Sequence, residues 1–245
     1  MISAEALGWR VGGVHILEDV SLSVAAGELL GVIGPNGAGK SSLVNLLSGV
    51  RRATTGTVRL GGRDVTRTSA TRRARMGLAR SFQTSALFDG LPAGENVRLA
   101  IQAAGTRSLS PLRGARSARD TDAVGLLLDR VRMPGRALVP ARGLSHGDRR
   151  KLELAMALAS SPTVLLLDEP MAGVSAEDVE GLSSIIGEVR DSGVAVVMVE
   201  HHMHVVLGLA DRVAVLHHGR LLACGTAEQV TGDDAVQQAY LGAAL

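Results

Sequence analysis

Gly34-Pro35-Asn36-Gly37-Ala38-Gly39-Lys40-Ser41 is a G-x-x-x-x-G-K-[ST] stretch, and its reading decides the fold. It follows the apolar run Leu29-Leu30-Gly31-Val32-Ile33 and leads into Ser42-Leu43-Val44-Asn45-Leu46-Leu47, which has helical spacing. Strand, glycine loop and helix in that order predict a loop that cradles phosphate. Glycines let backbone N–H groups turn inward and approach phosphate oxygens with no Cβ in the way. The helix starting near Gly39 adds its positive end. Lys40 can reach the β- and γ-phosphates, and the Ser41 hydroxyl can hold Mg²⁺. The alternative, a glycine-rich turn that binds nothing, does not account for the Lys-Ser pair or for both flanking elements. The chain is expected to bind a nucleoside triphosphate.

A second stretch supplies what phosphoryl transfer still lacks. Pro162-Thr163-Val164-Leu165-Leu166-Leu167-Asp168-Glu169 is an apolar strand ending in two acids. Continuous apolar character predicts a parallel strand covered by helices on both faces. Asp168 sits where an aspartate can hold Mg²⁺, and Glu169 can orient or deprotonate an attacking water. Two acids capping a helix are the plainer alternative; the phosphate loop upstream weighs against it.

Around these two stretches the expected class is α/β. It comprises a P-loop NTPase core of mostly parallel sheet, an N-terminal antiparallel β subdomain and an inserted helical subdomain. Short strands are predicted over 6–11 and 16–24, with Gly12-Gly13 as a hairpin signal, and over 57–60 before the turn Gly61-Gly62. Leu78 to Gln83 reads as a strand ending in glutamine. Helical spacing follows over 95–104, 120–131 and 148–159, with a Gly-, Ser-, Arg- and Pro-rich surface excursion over 105–118. Further elements are a helix over 176–190, a buried strand over 194–199, a short helix over 205–210, strands over 213–216 and 221–223, and one helix over 227–240. The whole chain is expected to be a single ATPase domain. Residues 1–90 and 160–245 would form the nucleotide-binding core, and 91–159 the helical part.

Composition narrows the class. The 245 residues can bury a large core, and 46% hydrophobic content is that of a globular protein. No apolar run reaches the ~18 residues that spanning a bilayer needs. The first residues, MISAEALGWR, lack the basic and apolar regions of a secretory signal. Cys224 is alone, so no internal disulfide forms, which suits the cytoplasm. Net charge is +2, with arginines clustered at Arg72, Arg73, Arg75 and Arg80 and again from Arg107 to Arg119. Nucleic-acid binding would call for interleaved aromatics, and the chain has only Trp9, Phe82, Phe88 and Tyr240. These arginines are therefore read as a solvated basic face, and no nucleic acid is expected.

Leu144-Ser145-His146-Gly147-Asp148, about twenty residues before Asp168-Glu169-Pro170, resembles the signature motif of ATP-binding cassette (ABC) ATPases. Gln83 falls at that family's Q-loop, Val174-Ser175 at its D-loop and His201 at its switch histidine, so the resemblance covers essentially the whole chain. Leu78 to Thr84, Arg149-Arg150-Lys151-Leu152-Glu153, Glu169-Pro170-Met171-Ala172-Gly173, Glu200-His201-His202-Met203 and Ala239-Tyr240-Leu241-Gly242 resemble the branched-chain amino acid importer group, whose relatives carry amides and urea. The resemblance implies an ATPase with ATP and Mg²⁺ as ligands. Gly34 through Ser42, with Val11, Ser145 and Gly147, would bind nucleotide; Ser41, Gln83 and Asp168 would hold the metal; Glu169, His201 and Gln83 would be catalytic.

It also implies partners. Two ATPase subunits, identical or merely similar, would pack head to tail. Each ATP would lie between one phosphate loop and the other subunit's Ser145 and Gly147. Permease subunits in the membrane would dock near Gln83, with a solute-binding protein acting indirectly, placing the chain on the cytoplasmic face of the membrane. Phe88 and Leu91 are read either as the docking surface or as core anchors. Lipopolysaccharide export and soluble iron–sulfur assembly are the competing functions.

Three positions depart from the family pattern. The adenine-stacking aromatic is replaced by Val11, with Trp9 on the same strand face as substitute or as core. His146 replaces a glycine, either adding a pH-dependent donor or standing as a tolerated surface side chain. Ser175 replaces an aspartate. The histidines His201, His202 and His204 lack a completing acid or cysteine, so no metal other than Mg²⁺ is expected.

Overall fold

The computed structural model describes residues 1–81, 87–105 and 118–241. They divide into two compact units, one of residues 1–80, 163–170 and 189–245, the other of 81–162 and 171–188.

The first unit holds two sheets. Strands β1 (Ile2–Val11), β2 (Val14–Val24), β4 (Thr55–Leu60) and β5 (Arg63–Asp64) pair antiparallel in the order β2-β1-β4-β5. Strands β3 (Leu29–Ile33), β6 (Leu78–Arg80), β7 (Val164–Asp168), β8 (Ala195–Val199), β9 (Arg212–His217) and β10 (Arg220–Gly225) form the other, in the order β10-β9-β3-β8-β7-β6. All its pairings are parallel except the β9–β10 hairpin. Every residue of β3, β7 and β8 is buried. Unbroken apolar sequence is what a two-sided parallel sheet requires. One apolar core joins both sheets through Ile2, Leu7 and Val20 on one side and Val32, Leu166 and Val197 on the other.

β1 starts four residues earlier than expected. Its inside–outside alternation breaks between Ala4 and Leu7, where the register shifts and Ala6 takes φ 48°. A bulge puts two residues against one and resets the phase, so a period-two reading sees the strand only beyond it.

Helices of this unit are α1 (Lys40–Ser48), α2 (Ala70–Arg75), α7 (Met203–Leu209), α8 (Ala227–Thr231) and α9 (Asp234–Leu241). Two of these correct the sequence reading. The expected helix over 227–240 is two helices: Gly232 closes the first, and Asp233 caps the next, its Oδ1 accepting from Ala235 N at 2.8 Å. α2 lies in the arginine cluster read as solvated, yet Arg73 is only 1% exposed. Its guanidinium donates to Leu46 O and Leu47 O at 2.7 Å each and to Val65 O at 2.7 Å. Leu46 and Leu47 lie in the last turn of α1, whose carbonyls have no partner within the helix. A buried arginine with five donors reaches both, Leu46 O also accepting from Gly49 N at 3.2 Å, and ties that turn to the segment after β5. Desolvation pushes its pKa down to about 10.

The second unit is helical: α3 (Ala93–Ala104), α4 (Ala118–Arg130), α5 (His146–Leu158) and most of α6 (Ala176–Asp191). Helix α5 starts two residues before the expected Asp148, capped by Ser145, whose Oγ accepts from Asp148 N at 3.1 Å. The strand expected over 78–83 is β6, Leu78–Arg80, and Gln83 lies outside the described residues.

Candidate functional site

The phosphate loop leaves the carboxyl end of β3, where open parallel sheets place their ligands. Two of its glycines are obligatory. Gly34 has φ 151°, and a Cβ there would lie 2.1 Å from Leu216 O; Gly39, at φ 103°, would place one 2.7 Å from Leu17 Cδ2. Gly37, at φ 79°, has no atom within 4 Å of that position, so its backbone faces open space. The turn between β9 and β10 braces the loop from the side: Gly219 N donates to Ala38 O at 3.1 Å, and Gly219 O accepts from Glu18 N at 2.8 Å.

Lys40, the first residue of α1, is buried and folds back over the loop. Its Nζ donates to Gly34 O at 2.6 Å and to Pro35 O at 3.0 Å. Burial pushes the ammonium pKa down, opposed by the charges of Glu169 and Asp168. One cation and two carboxylates therefore share the mouth of the loop. Ser41 and Ser42 follow in the first turn of α1, both half-buried.

Asp168 ends β7 and is 1% exposed. Its Oδ2 accepts from Arg80 at 3.1 Å. Burial pushes its carboxyl above the usual carboxylate range, against the pull of Arg80 and Lys40. Glu169 turns out of the strand at φ 52°, its N–H donating to Val199 O at 2.9 Å on β8. That left-handed step points its carboxylate towards His201, with Oε1 3.0 Å from His201 Nε2. Glu200 is 1% exposed and accepts from His201 N at 3.0 Å and His202 N at 3.4 Å. Lys40, Asp168, Glu169 and His201 thus meet at the carboxyl ends of three strands, although they lie up to 161 residues apart.

In the helical unit Ser145 and His146 are exposed at the start of α5 and Gly147 is buried. A Cβ on Gly147 would sit 2.5 Å from Asp178 Oδ2, and one on Gly173 2.9 Å from His146 Cδ2. Ser175 Oγ lies 3.0 Å from Asp178 Oδ2. The signature segment and the D-loop segment therefore interlock side by side, with His146 resting on Gly173.

The family described as ABC transporter matches residues 17–172, which span the loop, the signature segment and Asp168-Glu169. The chain belongs to this family. A branched-chain amino acid ATP-binding cassette transporter family matches residues 220–245. The LivG branched-chain amino acid transport ATP-binding protein of Escherichia coli strain K12 is 34% identical over 252 residues, covering 100% of this chain and 98% of that one. The lipopolysaccharide export ATP-binding protein LptB of Acidithiobacillus ferridurans is 35% identical over 227 residues, covering 93% and 90%. Among solved structures, the ADP conformation of MJ1267, a cassette of an ABC transporter, superposes with a TM-score of 0.89 at 25% identity, covering 99% of this chain and 98% of that one.

This ABC ATPase presents the remaining expected residues as follows. Val11 is 50% exposed at the tip of the β1–β2 hairpin, while Trp9 packs against the apolar core. Phe88 is 55% exposed and Leu91 37%, which removes the core-anchor alternative for both. The loop carrying them is pinned by buried Asn96, whose side chain accepts from Phe88 N at 2.8 Å and donates to Pro92 O at 3.1 Å. The sequence reading gives neither Arg80 nor Glu200 a site role: Arg80 stands there in the basic cluster, and both lie within segments that resemble the importer group.

Proposed function

We propose that this ABC ATPase powers uptake of a branched-chain amino acid or a related small polar solute such as an amide or urea. The match of residues 220–245 to the branched-chain family carries the reading, supported by LivG relatives that cover the whole chain. Among the described residues no helix is long and apolar enough to cross a membrane. The chain works at the cytoplasmic face beneath permease subunits, and a solute-binding protein feeds them from the far side.

The oxygen donors suit a hard cation. Buried Asp168, whose carboxyl is pushed up by desolvation, and the Ser41 hydroxyl are the hard-oxygen type that Mg²⁺ takes. Asp168, Ser41 and Gln83 would hold it, with Gln83 outside the described residues. Held there, Mg²⁺ would supply neutralisation of charge on the transferring phosphate. The loop N–H groups and Lys40 bind the β- and γ-phosphates; Lys40 trades its two carbonyl partners, Gly34 O and Pro35 O, for phosphate oxygens. Glu169 accepts a proton from the attacking water or orients it, and His201, held 3.0 Å from Glu169, donates towards the γ-phosphate. Val11 faces the base.

Ser145 and Gly147 at the tip of α5 offer a hydroxyl, a backbone N–H and a positive helix end. They serve the ATP held by a second copy or a similar chain, so nucleotide glues the two subunits and hydrolysis parts them. Phe88 and Leu91 meet the permease.

Purified with the membrane proteins encoded beside it and placed in proteoliposomes, the chain should hydrolyse ATP faster when leucine, isoleucine or valine and the binding protein are supplied. LptB similarity keeps lipopolysaccharide export as the second reading. Stimulation by lipopolysaccharide and by none of the amino acids, amides or urea would replace the first reading with the second.

A further inference from the structure

Arg80 ends β6 with a side chain only 12% exposed, and its guanidinium reaches two elements at once. Nη1 donates to Asn45 Oδ1 at 2.7 Å and to Ser48 Oγ at 3.1 Å, one turn apart on α1. Nη2 donates to Asp168 Oδ2 at 3.1 Å at the end of β7. We propose that Arg80 is a positioning residue for the metal–nucleotide site, locking the helix that begins at Lys40-Ser41 to the carboxylate of Asp168. The proposal rests on the reading of Asp168 and Ser41 as Mg²⁺ ligands.

The physical case is one of reference points. A metal ion selects ligands whose oxygens stand at fixed separation, and partners behind the ligands hold them there. The Ser41 hydroxyl rides on α1, a stiff helix, and the Asp168 carboxylate on β7. A single planar fork of donors touching both elements sets their spacing and the rotation of the carboxylate. Lysine's three donors radiate from one nitrogen and lack the planar fork that spans both elements. Arg80 also places positive charge beside a buried carboxylate that already feels Lys40 and the like charge of Glu169.

The test uses the full chain with Mn²⁺ as a spectroscopic probe and a non-hydrolysable ATP analogue. Arg80→Met should weaken Mn²⁺ binding to the nucleotide complex by about 10–100-fold, the range for partners behind metal ligands. Nucleotide affinity in EDTA should stay within about twofold, since the loop and Lys40 bind phosphate without the metal. Should Arg80→Met fail to fold, Arg80→Lys carries the test, with a smaller Mn²⁺ loss and the same unchanged affinity in EDTA. Folded variants that bind Mn²⁺ as the parent does overturn the proposal, as does an equal loss of nucleotide affinity in EDTA, which marks a general packing role. Asp168→Asn separates the two levels. If it loses Mn²⁺ while Arg80→Met does not, only the Arg80 proposal falls; if it keeps Mn²⁺, the ligand reading beneath it falls.

Discussion

His201 Nε2 stands 3.0 Å from Glu169 Oε1, joining the residue just past β7 to the residue two past β8. The two strands are hydrogen-bonded neighbours, with Asp168 opposite Val199. Glu169 meets His201 because it leaves its strand in a left-handed turn and bonds back to Val199 O. Replacing Glu169 by Gln keeps that shape and removes the proposed base. Hydrolysis should fall roughly 10²–10⁴-fold while ATP still binds. Phosphate release and equilibrium binding measured on one preparation check this, and light scattering should show an ATP-dependent dimer. A Glu169→Gln protein that turns over normally would remove Glu169 from the chemistry.

Lys40 supplies the fixed cation of the loop. Lys40→Ala should cost ATP affinity at least tenfold, because charge-assisted bonds to phosphate are lost. Thermal melting with and without ATP reads this directly: the nucleotide-induced rise of the parent should vanish. A retained rise would place the phosphates elsewhere.

Arg73 makes a prediction about stability alone. Its guanidinium satisfies carbonyls at the end of α1 and after β5. Arg73→Met takes the side-chain donor from Leu47 O and leaves Leu46 O and Val65 O with only Gly49 N and Thr68 N, and should cost about 1–3 kcal/mol of unfolding free energy. Urea denaturation measures it. A loss below about 0.5 kcal/mol, the range of an ordinary surface change, would mean water replaces the arginine.

Val11 gives a gain-of-affinity test. Exposed at the hairpin tip, it offers little to a flat base. Val11→Tyr should tighten ATP binding by about 1 kcal/mol through base stacking, the lower part of the range for such contacts. Fluorescence titration should show the gain for ATP and none for tripolyphosphate. Equal gains for both ligands would mean the tyrosine acts away from the base.

Gly34 tests the cradle geometry. A Cβ there meets Leu216 O at 2.1 Å, a backbone atom that cannot swing aside. Gly34→Ala should destabilise the fold and weaken ATP binding together, whereas Gly37→Ala, with open space at its Cβ position, should cost mainly the φ strain of about 1 kcal/mol. Comparable melting temperatures for the two variants would contradict this packing.

Local chemistry made much of the molecule legible in sequence. The phosphate loop and the apolar strands β3, β7 and β8 announce themselves because each depends on contiguous residues: glycines at fixed spacing, or side chains buried on both faces. The pairing of Asp168 with Glu169 is equally local. Arg73 and Arg80 could not be placed that way, since an arginine's side chain looks the same in water as beneath a helix end; what it touches lies 26 and 88 residues away. The bulge at Ala6 hid the first four of the ten residues of β1, since a shift of one residue inverts the phase on which strands are recognised. Sequence thus determined which groups can handle a triphosphate. Tertiary structure alone decided which groups are buried beside them, because burial and charge pairing arise between segments distant along the chain.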